Sequence, residues 1–134
     1  MAAVVRQRSR WGVLLSALAL FITGCHRPVA PLSSIGLTNT ITPWPAHVGV
    51  AKVSLTLRDS ASQPVVGAHI LLEEDMSHPG MAPVFREAKE ITPGSYEAQL
   101  ELGMAGDWLL LLHITLADGQ KLDREIELKG VETR

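Results

Sequence analysis

The sequence has a single cysteine, few aromatic residues and no acidic residue in its first 58 positions. A disulfide needs two cysteines, and a lone free thiol would oxidise outside the cytoplasm, so Cys25 needs another explanation. Aromatic residues make up 4% of the 134 residues, too few for a platform that stacks on bases or sugars. No Gly-rich phosphate loop or nucleophile–histidine arrangement is recognisable. We therefore expect a protein that is not an enzyme.

Charge is divided unevenly along the chain. Arg6, Arg8 and Arg10 are three of the 12 basic residues, whereas all 14 acidic residues follow position 58. Without the first 24 residues the chain has nine basic and 14 acidic residues and a net charge of −5. A mildly acidic domain without a basic patch argues against nucleic acid as a partner.

The N-terminal segment has only a short hydrophobic run. A predominantly apolar run of 12 residues at positions 11–22 follows the three arginines, whereas a membrane-spanning helix needs about 20. A basic start, a short apolar core and small residues at its exit are typical of a secretory signal. We predict an export signal over residues 1–24; the alternative is an uncleaved membrane anchor.

Ile22-Thr23-Gly24-Cys25 resembles the lipobox of bacterial lipoproteins, in which the cysteine is lipidated and becomes the new N-terminus. The resemblance implies that acyl chains on Cys25 attach the protein to a membrane. His26 stands where aspartate is linked with inner-membrane retention, which favours the outer membrane in a Gram-negative cell. We expect a lipoprotein of the bacterial cell envelope that faces the periplasm or the exterior.

Residues 25–46 combine four prolines with small polar residues and have no sustained period. Such a stretch predicts a lipidated cysteine followed by a flexible tether. The folded domain is then expected over residues 47–130, with a tail at 131–134. In an alternative interpretation, Leu32, Ile35, Leu37 and Ile41 pair as an edge strand, and Trp44 packs onto the domain as an apolar plug.

Alternation of apolar and polar residues predicts six or seven short strands after the tether. The predicted strands cover residues 48–57, 65–73, 84–91, 96–102, 108–116 and 122–128, separated by turn signals such as Asp118-Gly119. The leucine-rich run at 108–116 is typical of a central strand covered on both faces. The pattern predicts an all-β fold, an immunoglobulin-like antiparallel β-sandwich of six to seven strands.

The loop at residues 75–81 contains Met76, His78 and Met81 within six positions. Thioether sulfur is a soft ligand that suits Cu(I), and imidazole binds copper in either oxidation state. If consecutive strands run antiparallel, His47, this loop and the 103–107 loop share one end of the sandwich. Met104 could then add a sulfur beside an apolar wall formed by Trp108.

Four segments in this order resemble the YtkA-like and FixH-like family of exported bacterial domains. They are Pro64-Val65-Val66-Gly67-Ala68, the methionine/histidine loop, Thr92-Pro93-Gly94-Ser95-Tyr96 and Met104-Ala105-Gly106-Asp107-Trp108. The resemblance implies the same sandwich and an accessory role, which in some members is linked to copper handling for respiratory oxidases or to metal efflux.

Two functions remain open from the sequence. One is a lipid-anchored module that binds or relays copper through Met76, His78, Met81 and Met104. The other is a lipid-anchored structural or protein-interaction domain without metal, in which the methionines pack as flexible gap fillers. In both, the partners are the membrane, through Cys25, and an unidentified protein of the envelope.

Overall fold

The computed structural model of the chain describes residues 34–76, 80 and 82–133. The predicted signal, Cys25, His78 and Met81 lie outside the described residues. The strands are β1 (Gly36–Thr42), β2 (Gly49–Arg58), β3 (His69–Met76), β4 (Val84–Thr92), β5 (Ser95–Leu102), β6 (Gly106–Thr115) and β7 (Lys121–Val131). Within this part of the chain, no helix is both long and apolar enough to cross a membrane.

The seven strands form two layers joined by β4. Their hydrogen-bonded order is β1-β2-β5-β4-β3-β6-β7, and every neighbouring pair is antiparallel. The first half of β4, up to Ala88, pairs with β3, whereas Lys89 and the residues after it pair with β5. The predicted immunoglobulin-like antiparallel β-sandwich of six to seven strands is confirmed.

The core lies between the layers and follows the period-2 pattern of the sequence. In β2 the side chains of Ala51, Val53, Leu55 and Leu57 are all buried, and the residues between them face outward. Trp108 and Tyr96 are the largest fully buried side chains. Side chains alternate between the two faces of a strand, so each strand contributes every second residue to the core.

β1 lies within the residues predicted to form the tether, so the sandwich begins at Gly36 and not at position 47. The alternative of an edge strand is thereby confirmed for Leu37 and Ile41, whereas Ile35 directly precedes β1 and Leu32 lies outside the described residues. Ile35 and Ile41 are buried at 6% and 8% exposure, and this burial offsets the cost of ordering the segment. The interpretation of Trp44 as a plug is wrong, because this side chain is 70% exposed.

The largest differences from the predicted strand boundaries are in β3 and β7. β3 spans His69–Met76 and not 65–73; the segment before it makes only an isolated bridge and one backbone hydrogen bond to the end of β2 and is held by the Tyr96 side chain. β7 continues to Val131, and Glu132 bridges His47. The predicted tail therefore completes the edge of the sandwich.

One end of the sandwich collects the residues that the antiparallel arrangement was expected to bring together. Met76 lies opposite Trp108, Gly106 opposite Val131, and His47 beside Glu132. We call this the methionine end and define it by His47, Met76, Met104 and Trp108. β1 starts at the opposite end, since Gly36 pairs with Arg58, the last residue of β2.

Candidate functional site at the methionine end

Met76, the last residue of β3, is a core side chain at this end. It is 5% exposed, and its methyl carbon Cε lies 3.3 Å from the position that a Cβ atom on Gly106 would occupy. The backbone N–H of Met76 donates to Asp75 Oδ1 at 2.8 Å. The chain is therefore held in place at the residue from which the 77–81 loop departs.

Met104 belongs to the same end but faces solvent, with 46% of its surface exposed. Its backbone carbonyl accepts a hydrogen bond from Trp108 Nε1 at 3.1 Å. Trp108 is 1% exposed and lies opposite Met76 in the β3–β6 ladder. The indole thus ties the turn that presents Met104 to the strand that faces Met76, in agreement with its predicted place beside the methionines.

Gly106 permits this packing. Its φ of +131° is a conformation that residues with a side chain rarely adopt, and a Cβ there would press on Met76 Cε. Glycine at this position therefore lets β6 begin directly against the methionine side chain. The glycine of the Gly-x-Trp pattern thus serves the packing of Met76 as well as the turn.

His47 approaches the methionine end from the other layer. It forms a parallel bridge with Glu132, and its Nδ1 atom is buried without a hydrogen-bond partner among the described residues. The sequence placed His47 at this end but gave it no role. A buried imidazole nitrogen with no partner is a further nitrogen donor near the methionines.

The three acidic residues before the loop have other partners. Glu73 contacts His113, Glu74 accepts a backbone N–H from β5, and Asp75 accepts the N–H of Met76. No group of three or more His, Cys, Asp or Glu residues in the described ranges is arranged to hold a metal. Asp107 and Glu132 lie at the same end, so the described residues bring sulfur, imidazole nitrogen and carboxylate oxygen to it.

A hydrogen-bonded clamp at the opposite end was missed by the sequence analysis. The buried Tyr96 hydroxyl donates to the Val65 carbonyl at 2.8 Å and accepts from the Ala68 N–H at 3.0 Å. Glu90 accepts the N–H groups of Gly67 and Gly94 at 3.0 and 2.9 Å. The Pro-Val-x-Gly-Ala and Pro-Gly-x-Tyr segments therefore form one structural unit, far from the methionines.

Both side chains of the clamp have shifted acidities. Burial raises the pKa of the Tyr96 hydroxyl, while the N–H groups of Gly94 and Gly67 lower the pKa of the Glu90 carboxyl. The pattern Pro-Gly-x-Tyr marked a turn, but only the fold shows that its tyrosine reaches across to the segment before β3.

Glu74 bridges the place where β4 leaves β5. It is fully buried, and its Oε2 accepts the Glu101 backbone N–H at 3.0 Å. Arg86 Nε lies 3.4 Å from Glu74 Oε1, and Arg86 Nη2 pairs with Glu101 at 2.7 Å. Burial raises the pKa of the Glu74 carboxyl despite the opposing hydrogen bond from Glu101 and the charge of Arg86. Arg86 and Glu101 also line a charged cleft of about 500 Å³ formed by residues of β2, β4 and β5.

His113 lies on the outer side of β6 between two carboxylates. Its Nε2 is 2.9 Å from Glu73 and its Nδ1 is 2.9 Å from Asp123. These hydrogen bonds, that of Glu73 first, raise the pKa of the imidazole. The sequence patterns of the single strands did not indicate this group, because Glu73, His113 and Asp123 lie on three different strands.

Fold and site together define an immunoglobulin-like β-sandwich with a methionine- and tryptophan-containing end. The model of the YtkA-like family matches residues 36–113, and the chain belongs to that family. The FixH-like resemblance and the lipoprotein signal stay predictions. A comparison with curated proteins gives no significant sequence match.

Two solved structures resemble the chain. The soluble domain of PmoD from Methylocystis sp. ATCC 49242 (Rockwell) has a TM-score of 0.46 and 14% identity, covering 71% of this chain and 89% of its own. Murine CRIg has a TM-score of 0.41 and 13% identity, covering 74% of this chain and 99% of its own. At this level of similarity, neither structure assigns a function to the chain.

Proposed function

We propose that the chain is an exported, lipid-anchored and non-enzymatic accessory protein that binds or relays copper as Cu(I) at its methionine end. Copper is the cargo in this proposal, and Met76, His78, Met81 and Met104 are the ligands. His113 gives no support to an enzyme, because both of its ring nitrogens are paired with carboxylates.

The observation that carries the proposal is the placement of Met76 and Met104 at one end, both tied to Trp108. Met76 and Trp108 are opposite each other in the β3–β6 ladder, and Trp108 Nε1 donates to the Met104 carbonyl. His78 and Met81 follow Met76 within five positions of the chain. Soft sulfur and imidazole ligands favour Cu(I).

The position of the tether supports an accessory role. β1 starts at the end opposite the methionines, and the 11 residues from Cys25 to Gly36 span at most about 40 Å when fully extended. With Cys25 in the membrane, the anchor is attached at the end away from the methionines, which leaves the methionine end accessible to another envelope protein.

A second function is favoured by the burial of Met76. At 5% exposure its sulfur fills the core beside Gly106, as expected of a methionine that serves packing alone. In that case the chain is a lipid-anchored interaction or structural domain without metal. The two proposals differ in whether the methionine end takes up copper at all.

A Cu(I) competition with a chromogenic chelator distinguishes the proposals. We expect the mature domain to take up one Cu(I), and Met76→Leu combined with Met81→Leu to remove that uptake, because leucine keeps the apolar volume but has no sulfur. Met104→Leu should weaken it. His69→Ala is the control, since His69 is exposed on β3 away from this end.

Failure of the unaltered domain to compete for Cu(I) would reject copper binding and leave the interaction domain. Uptake that survives the double change would show that the sulfurs are not the ligands. Circular dichroism of each variant establishes that the sandwich is intact.

A further inference from the structure

The outer side of the β4-β3-β6-β7 layer carries acidic and apolar side chains that have no role in the proposed copper site. In one row across these strands lie Phe85, Glu73, Leu111 and Glu125; the next row contains Glu87, Leu71, His113 and Asp123, and a third contains Asp75, Leu109 and Glu127. We call these three rows the acidic face. They contain six carboxylates and no lysine or arginine of their own, and Lys129, two residues beyond Glu127 on β7, pairs with Glu127 at 2.9 Å.

The middle of the acidic face is apolar. Leu71, Leu109 and Leu111 are only half-buried, and Phe85 is 53% exposed. Single exposed apolar residues are ordinary on a protein surface, but four in adjacent rows form a patch. The leucine run of β6 was expected to be covered on both faces, yet the domain itself covers only the side that carries Leu110 and Leu112.

The charge on this face is not shared by the other layer. On the outer side of β2 and β5, Lys52 pairs with Glu97 at 3.0 Å. On the acidic face, Glu73 and Asp123 pair with His113, Glu87 with His69 and Glu127 with Lys129. Glu73 and Asp123 raise the pKa of His113, so His113 and Lys129 offset part of the charge, and the six carboxylates outnumber these cations and leave the face negative.

We propose that the acidic face is a docking surface for a partner protein that presents lysine or arginine around an apolar side chain. A second copy of the chain is a poor occupant, because a two-fold contact would set six carboxylates against six. An anionic lipid surface would be repelled by the same charges. A basic partner gains attraction at the rim while it covers Phe85 and the leucines.

Site-specific photocrosslinking in the cells that produce the full chain tests this proposal. A benzoylphenylalanine replacing Leu111 should crosslink to a protein whose attached peptide, sequenced by mass spectrometry, contains lysine or arginine. The same group replacing Thr56, which faces outward on β2 of the other layer, should not give this product.

The charge dependence is tested with two pairs of substitutions that change the net charge equally. Glu87→Gln with Glu125→Gln should lower the yield about fivefold, since two exposed ion pairs are individually weak but add. Gln99→Lys with Thr40→Lys places the same charge change on the other layer and should leave the yield unchanged.

Four results would overturn the proposal: no product at position 111, an equal product at position 56, a product between two copies or with lipid, or a yield indifferent to the glutamine pair. Because Cu(I) uptake is measured separately, failure of this surface and failure of the copper site are distinguishable.

Discussion

Glu74 is a buried carboxylate at the place where β4 leaves β5, and its position explains how the two layers can part. β4 pairs first with β3 and then with β5, so the N–H of Glu101 has no strand neighbour on the side away from β2 at the point of divergence. Glu74 accepts that N–H. A buried donor without an acceptor is costly, and the carboxylate prevents this at the expense of its own desolvation.

The pH dependence of stability should reveal this cost. Because burial raises the folded-state pKa of Glu74 above its ordinary value of 4.5, the folded state binds more protons than the unfolded state between the two values. The protonated Glu74 carboxyl contributes fully to the free energy of unfolding below its unfolded-state pKa. This contribution is lost as the pH rises through its folded-state pKa.

Glu74→Gln keeps an acceptor for the Glu101 N–H and has no charge. We expect the stability of this variant relative to the unaltered chain to increase from about pH 4 to about pH 8. Glu74→Ala should lose about 1–3 kcal/mol, because the Glu101 N–H is left unpaired. Urea unfolding at both pH values measures the differences.

Glu97→Gln is the matched control, because Lys52 and Ser54 lower the pKa of Glu97. The ionised Glu97 carboxylate stabilises the fold above its unfolded-state pKa, and this stabilisation is lost as the pH falls. Glu97→Gln lacks it, so the stability of this variant relative to the unaltered chain should decrease as the pH rises. An identical pH trend for both variants would contradict the assignment of the cost to the burial of Glu74.

At the scale of elements, the β4–β5 hairpin is built against the segment that precedes β3. Gly94 has a φ of +74°, and a Cβ on it would lie 2.7 Å from Pro64 Cβ and 3.0 Å from the Leu57 carbonyl. Leu57 donates its N–H to the Gly94 carbonyl at 2.9 Å. Glycine is thus required here both for the turn and for the close approach of two segments.

Gly94→Ala compared with Gly119→Ala separates these two requirements. Gly119 lies in the β6–β7 hairpin with a φ of +87°, but a Cβ there meets no atom within 4 Å. We expect Gly119→Ala to cost about 1 kcal/mol from backbone strain alone, and Gly94→Ala to cost about 1–3 kcal/mol more because Pro64 must move. Chemical denaturation measures both, and equal losses would show that the contact with Pro64 is relaxed at little cost.

For the whole molecule, the two ends of the sandwich contain different groups. The end at which β1 begins contains the Tyr96 and Glu90 clamp, whereas the opposite end contains the methionines, Trp108 and His47. In the antiparallel arrangement, the loops at one end are independent of those at the other. Changes in the anchor should therefore leave the methionine end unaffected.

Replacing residues 1–25 by a cleavable secretory signal without a lipobox tests this separation. We expect the protein to move from the membrane to the soluble fraction of the envelope and to keep its Cu(I) uptake, because β1 begins at the far end. The control is an equal exchange that retains residues 22–25. Intact-mass analysis of the membrane form should show Cys25 as the acylated N-terminus; residues 1–24 still attached would support the uncleaved anchor instead.

Much of the fold was predictable because alternation along a strand directly reports which side chains face the core. The inward residues of β2 and of β5 were identified from their pattern. β1 was assigned to the tether because prolines on both sides conceal a short strand whose burial depends on β2. The prediction that Trp44 packs onto the domain was wrong for a related reason, since hydrophobicity alone does not indicate which apolar residue packs against the rest of the fold.

The sequence by itself determined the class of the fold, the soft-ligand loop and, through strand parity, the end of the sandwich that holds Met76, Met104 and His47. These follow from local periodicity and chain direction. Only the tertiary structure decided that Met76 is buried while Met104 is exposed, that Tyr96 and Glu74 hold separate segments together, and that six carboxylates share one face. Such features depend on register between strands distant in sequence, which no local pattern encodes.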